Sequence, residues 1–547
     1  MHPLSSLSFN FACEDMQPAT KQRKENAMGQ LNRREFVVMA GAASQALLTS
    51  GRALAAGTPE DELTALTLNE ASRRIHSGEV TSTQLTQALL DRIAIYNPKV
   101  NAFITVMRQE ALAQAASLDS EAKAGNFRGP LHGIPIALKD NIDTEGTRTT
   151  GASAVFDDRV PDQDAEVVVR LKQAGAVLIG KANMHEFASG GSSASTYFGP
   201  VRNPWALDHV PAGSSGGSAA AVVSDLAYGA LGTDTGGSVR MPAAYCSIVG
   251  LKPTYGLVSI RGIIPLIYSL DHCGPMTKTV EDAAMMLNHM TGYDKLDVAS
   301  VDHPAEDYVA SMKQPVADFR LGIPRAPFFD LLDPEIAKAI EAAINVLSKL
   351  TKSTVDCHLP GTGGFNALAL GGEREAYHLE LFRRNSMRYS LGVKQNIETA
   401  EKTLNDVTSE PCSEKVVDYV TSNWRLILMR KSIDEAFKDF DLVALPTMRI
   451  LPRTIDDALN REEVITPREP ETISNCSPFN IFGLPAISIP CGFSASGLPI
   501  GLMIAGPRFS EGKVLALANA YEKATQWHLK RPVLTPGMAV PPVVRKT

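Results

Sequence analysis

Apolar residues recur along the chain in two rhythms, and the change between them divides the sequence. Thr67-Leu68-Asn69-Glu70 and Thr81-Ser82-Thr83-Gln84 have the spacing of a capping box, which opens a helix. After the second, Leu85, Leu89, Ile93 and Tyr96 follow at helical intervals. From about residue 130 the pattern shifts to short unbroken apolar runs. Residues 134–138 and 176–179 read as buried strands, and Asp164 is placed to cap a helix through Val167, Val168 and Leu171 that stops at Gly175. Residues 218–223 read as a helix leading into the apolar run 226–231. Residues 334–349 and 373–384 look helical with charged faces, whereas 442–445 and 479–490 read as strands that close the same core. Alternating strands and helices predict an α/β fold. The expectation is a single large domain over 56–547: a mixed twisted sheet covered by helices on both faces, with a helical insertion at about 295–440. No Pro/Ser-rich linker and no internal repeat interrupts it.

Composition narrows the function classes. The 547 residues are 44% hydrophobic and 21% charged, with a net charge of −7, so no basic stripe is available for nucleic acid or anionic lipid. The seven cysteines (13, 246, 273, 357, 412, 476 and 491) lack C-x-x-C spacing and read as buried thiols. The chain has no P-loop, no strand-linked G-x-G-x-x-G and no H-E-x-x-H, and His185-Glu186 lacks a second histidine at the needed spacing. No metal and no cofactor are expected.

The first 55 residues read as an N-terminal extension and export signal. Asn32-Arg33-Arg34-Glu35-Phe36-Val37 leads into the apolar stretch 37–48 and then Ala53-Leu54-Ala55-Ala56, the order of a twin-arginine signal with a small-residue cleavage site. Met28 is the natural start for such a signal. The apolar stretch is too short for a stable membrane anchor, so the expected location is periplasmic or secreted.

Three small-residue elements carry candidate chemistry. Gly232-Thr233-Asp234-Thr235-Gly236-Gly237-Ser238-Val239-Arg240 can turn sharply and converge backbone N–H groups on one oxygen. Gly213-Ser214-Ser215-Gly216-Gly217-Ser218 lies just upstream, and Lys139 closes the apolar run that starts at Gly133. A lysine and two serines can activate a nucleophile without histidine. The lysine must first be neutral, and burial achieves this by disfavouring the ammonium form, whose ordinary pKa is about 10.4. Asp234 and Arg240 are expected to form an ion pair that fixes the turn. Cys246 reads as an unreactive thiol, His132, His185 and His272 as makers of structural hydrogen bonds, and Ser215 and Ser218 as loop supports.

The longer pattern resembles the amidase signature family. The likeness is carried by residues 129–135, Lys139-Asp140-Asn141, 180–187, 198–205, both Gly/Ser runs and 249–256. Weaker likeness continues to Gly497-Leu498-Pro499-Ile500-Gly501-Leu502. At Ala212 the family usually has glycine. The resemblance implies a Ser-Ser-Lys triad with Ser238 as nucleophile, Ser214 as bridge and Lys139 as base. It further implies an oxyanion hole from the N–H groups of Thr235, Gly236, Gly237 and Ser238, and a cis Gly213–Ser214 peptide. Ala188, Ser189 and Gly190 align with substrate-binding positions whose small side chains leave room for a bulky acyl group.

The implied activity is hydrolysis of carboxylic amides to acid and amine or ammonia, with an aryl or arylalkyl amide as the favoured small-molecule partner. Alternatives are a glutamine-dependent amidotransferase subunit, or an esterase or carbamate hydrolase on the same scaffold. A homodimer is the default assembly. Within the insertion, Glu373, Arg374, Tyr377 and His378 are candidates for the rest of the pocket.

Overall fold

The strands in chain order are β1 (Phe103–Val106), β2 (Pro135–Lys139), β3 (Val177–Ala182), β4 (Gly229–Thr233), β5 (Val249–Lys252) and β6 (Cys273–Thr277). They continue with β7 (Arg320–Pro324), β8 (Ser353–Cys357), β9 (Leu442–Pro446), β10 (Ala486–Phe493) and β11 (Pro499–Ala505). A computed structural model describes residues 59–362, 370–405, 412–463 and 474–544. Among these, all eleven strands join one sheet in the order β1-β3-β2-β4-β6-β5-β10-β11-β9-β7-β8. The sheet is mixed. Strand β2 runs parallel to β3 and β4, and β7 runs parallel to β8 and β9, while β4·β6, β5·β6, β5·β10, β10·β11, β9·β11 and β1·β3 are antiparallel.

Every residue of β2, β3, β4, β5, β6, β9 and β11 is buried, so both faces of the sheet are covered. This is the α/β architecture expected from the apolar runs. At the edge, β8 alternates polar residues and is half-exposed, which suits an unpaired strand border.

Several local readings are corrected. Residues 295–440 contain β7 and β8 as well as helices, and the helical part is concentrated in Gly371–Asn385, Leu391–Asn405 and Cys412–Ser432. The run 479–490 is not all strand, because Ser477–Ile481 is a helix whose apolar residues face the core. Unbroken hydrophobicity cannot separate a short buried helix from a buried strand. Asp164 does not cap the following helix, whose N-cap is Ala165; it accepts from the Glu145 N–H and pairs with Lys172 at 2.6 Å. The proposed export signal at 1–55 lies outside the described residues. No helix among the described residues is long and apolar enough to cross a membrane.

The parallel pairing of β2 with β4 matters most for function. Leu138 lies opposite Leu231, so Lys139 and the residues after Leu231 leave the sheet side by side at the same end. The helix Gly216–Val223, built from small residues and wholly buried, packs close beneath them. A Cβ on Gly217 would lie 2.2 Å from the Asn183 carbonyl and 2.6 Å from that of Ala102. Gly217→Ala should therefore destabilise the fold by about 1–3 kcal/mol, reversing the usual helical preference for alanine. Thermal unfolding of the variant checks the sign.

Candidate active site

Lys139 ends β2 and is fully buried. Its Nζ lies 2.7 Å from Ser214 Oγ and 2.7 Å from Thr233 Oγ1, with the Thr233 carbonyl at 3.3 Å. None of these partners is a carboxylate. Burial lowers its pKa to about 7, and the more distant anionic charge of Asp234 and Asp271 offsets only part of that fall. Asn141 Nδ2 donates to Thr233 Oγ1 at 3.1 Å and so orients that hydroxyl.

Ser214 follows a cis peptide bond from Gly213, as expected. Its carbonyl accepts from the His185 N–H at 3.0 Å and from Ser193 Oγ at 3.3 Å. Ala212 takes φ +59°, a left-handed conformation that favours glycine, which accounts for the glycine usual at that position in the family. Ser215 ties the two serine loops together. Its N–H donates to the Ser238 carbonyl at 3.3 Å, and its hydroxyl donates to the Thr233 carbonyl at 3.2 Å. Ser218 donates to the Leu231 carbonyl at 2.9 Å, the supporting part expected of it. Ser238 is 7% exposed, while Ser214 is fully buried. The structure thus places Lys139 and Ser214 in direct contact and anchors Ser238 on the adjoining loop. No hydrogen bond joins the Ser238 hydroxyl to another described residue.

The turn that carries Ser238 is organised by Asp234. Its carboxylate accepts from the N–H groups of Gly237 at 2.7 Å and Val239 at 3.2 Å, and from Asn480 Nδ2 at 2.8 Å. It also receives Arg240 through Nε and Nη2, both at 3.0 Å, so the expected ion pair is formed with both side chains fully buried. Burial raises the Asp234 pKa, but Arg240 more than reverses that and holds the carboxyl well below its usual range. One expected oxyanion donor is corrected here, because the Gly237 N–H is already committed to Asp234. The N–H groups of Thr235, Gly236 and Ser238 donate to no other described residue and remain available. Gly237 is required for its own reason: at φ +129° a Cβ would lie 2.6 Å from that of Cys476.

The aligned pocket residues are placed less uniformly. Ala188 is buried and lines a small cavity with Asn141, Thr233, Thr235, Asp271 and His272. Ser189 and Gly190 are half-buried. The space left by Gly190 is filled by the His185 ring, whose Nε2 would lie 2.2 Å from an added Cβ. That glycine serves packing rather than room for an acyl group. Within the insertion, Glu373 accepts from the Ser269 N–H at 2.8 Å, Arg374 pairs with Glu375, and His378 packs 4.6 Å from the ring of Phe187. Tyr377 packs against the same cluster around Phe187.

Two neighbouring groups lie beside the turn: Asp271, which the sequence reading missed, and His272, which makes the structural hydrogen bond expected of it. Asp271 is buried and accepts from Thr235 Oγ1 at 2.5 Å. His272 has Nδ1 at 2.7 Å from the Leu270 carbonyl, so Nδ1 carries the proton and the buried Nε2 is left as an acceptor without a partner among the described residues. They precede β6 in an ordinary polar pair with no spacing signal, and only the antiparallel β4·β6 register brings them here. Cys246 is fully buried and its thiol pKa is pushed up by desolvation, consistent with an inert group. His132 bonds the Leu118 carbonyl, far from the site chemistry.

A family model described as Amidase matches residues 84–515. The chain belongs to the amidase signature family. It is 39% identical to a glutamyl-tRNA(Gln) amidotransferase subunit of Moorella thermoacetica, over 86% of this chain and 99% of that protein. Among solved amidase signature structures, a native peptide amidase from Stenotrophomonas maltophilia is 33% identical with a TM-score of 0.71, covering 86% of this chain and 98% of that one. The corresponding glutamyl-tRNA(Gln) amidotransferase subunit of Thermotoga maritima is 32% identical with a TM-score of 0.66, covering 84% and 95%. The chain is therefore an amidase signature enzyme acting on C–N bonds.

Arg240→Met leaves Asp234 charged, buried and unpaired, and should cost about 3–5 kcal/mol in a urea unfolding curve. A loss below about 1 kcal/mol would contradict the role given to this pair.

Proposed function

We propose that the chain breaks carboxylic amide bonds through an acyl-enzyme on Ser238, with Ser214 as proton relay and Lys139 as base. The observation that carries this is a buried amine, with its pKa near 7, lying 2.7 Å from Ser214 Oγ. A neutral amine there accepts the Ser214 proton, and Ser214 in turn accepts that of Ser238 as its oxygen attacks the amide carbon. The carbonyl oxygen becomes an oxyanion facing the N–H groups of Thr235, Gly236 and Ser238. Ser214 then returns a proton to the departing nitrogen, and water or another nucleophile releases the acyl group.

The name of the curated relative supports one finer reading over a free hydrolase: a glutamine-dependent amidotransferase subunit that passes ammonia to a partner. A free amidase is the second reading, supported by the higher TM-score of the peptide amidase and by the arginine-pair export pattern. Esters and carbamates meet the same oxyanion geometry and extend that second reading. Ammonia release from glutamine, compared with a panel of aliphatic, aryl and peptide amides, separates the two. Turnover of simple amides by the chain alone marks a free amidase, whereas glutaminase activity that needs a partner marks the subunit.

Ser238→Ala should abolish labelling by a fluorophosphonate and lower turnover by about a thousandfold or more. An unlabelled wild-type chain, or a labelled alanine variant, would remove Ser238 as nucleophile. The base must be neutral, so activity should rise with pH through about 7 and reach a plateau above it. A kcat/KM profile that is flat between about pH 6 and 8 would count against Lys139.

A further inference from the structure

Two carboxylates stand near Lys139, and they differ in what neutralises them. Asp234 is bound bidentately by Arg240. Asp271 has no cation in hydrogen-bond contact among the described residues. It accepts only from Thr235 Oγ1 at 2.5 Å and from the N–H groups of Leu266 at 2.9 Å and Ile267 at 3.3 Å. Desolvation raises its pKa to about 6, a rise offset in part by the hydrogen bonds from Thr235, Leu266 and Ile267 and, to a smaller degree, by the charge of Lys139. The remaining titratable groups around the pair are neutral or compensated. The Cys273 thiol on β6 is pushed up to about 12 by burial, His272 is held neutral by burial, and the Tyr255 phenol, the other titratable group near Asp271, is raised to about 12.

The other half of the arrangement is mechanical. Thr235 contributes one of the three free N–H groups of the turn, and its hydroxyl adds a side-chain tie to the backbone pair, Asp234 N–H to the His272 carbonyl at 2.9 Å and His272 N–H to the Asp234 carbonyl at 3.0 Å, that joins the turn to the segment before β6. The same segment meets the insertion, since Ser269 is bonded through its N–H to Glu373 and through its carbonyl to Arg430 at 2.6 Å.

We propose that Asp271 is a positioning residue of this site, holding Thr235 in place through its hydroxyl and placing a carboxylate without a bound cation at the small cavity it shares with Thr233, the hydroxyl partner of Lys139. The proposal rests on the assignment of Lys139 as base. An anion near an amine favours the ammonium form, so removing it extends the base form to lower pH. Holding Thr235 keeps its N–H aimed at the developing oxyanion, where small displacements are costly.

The test is the rate of fluorophosphonate labelling of the full chain between about pH 5 and pH 9, which reports the acid limb of the base. In Asp271→Asn the limb should move to lower pH by about half a unit or more, and Asp271→Glu should restore it. Thr235→Val should slow labelling about tenfold or more without moving the limb, and Thr235→Ser should recover the rate. A limb that stays in place in Asp271→Asn, or wild-type labelling in Thr235→Val, overturns the proposal. Should Asp271→Asn fail to fold, the Thr235 pair still decides it. Lys139→Ala guards the underlying assignment: if the limb survives there, the base reading itself is wrong, and that result is distinct from a lysine-dependent limb indifferent to Asp271.

Discussion

The site depends on keeping an amine dry without giving it a bound counter-ion. Lys139 is enclosed by Ser214, Thr233 and the end of β2, so its ammonium form loses hydration and gains only hydroxyl and carbonyl contacts. Burial alone would not single it out. Lys181 and Lys278 are equally buried, yet Lys181 is held among Thr144, Thr149 and the Ile142 carbonyl, and Lys278 is paired with Asp225. Those lysines hold loops together. Lys139 differs because one of its partners is the hydroxyl of Ser214, on the loop that is bonded to the Ser238 carbonyl through Ser215, and a hydroxyl can pass a proton on.

A second constraint is how a single turn divides its N–H groups between structure and chemistry. Asp234 takes the N–H groups of Gly237 and Val239, and Arg240 balances its charge in the interior. The groups on either side of Gly237 are thereby left unbonded. A turn with every N–H satisfied internally would have nothing to offer an oxyanion, and one with none satisfied would not hold its shape in a buried setting. Cys476 and Asn480 close over the turn from a distant part of the chain, so its conformation is enforced by the C-terminal third.

The helices of 371–432 meet this scaffold at a few defined places. Phe187, Phe382, Tyr389 and Val393 share an apolar cluster beside Ala188, and Glu186 accepts from the Ser390 N–H at 2.8 Å. Glu373 and Arg430 grip Ser269 from the other side. The insertion is thus fastened to the segments on both sides of the cavity that Ala188 and Asp271 line.

The α/β class, the buried central strands and the chemical type of Lys139, Ser214 and Ser238 were legible in the amino-acid order. Apolar runs bounded by glycine encode strands directly, and small residues in succession encode tight turns. Local order also suggested the Asp234–Arg240 pair, because six residues across a turn bring two side chains together. What local order could not decide was how N–H groups are shared, why Gly190 is small, and that Asp271 bonds the hydroxyl of Thr235. Each of these depends on segments far apart in sequence meeting across the sheet: β6 beside β4, His185 against Gly190, and Asn480 over the turn. Such meetings are set by packing and strand register, which exist only once the chain has closed its core.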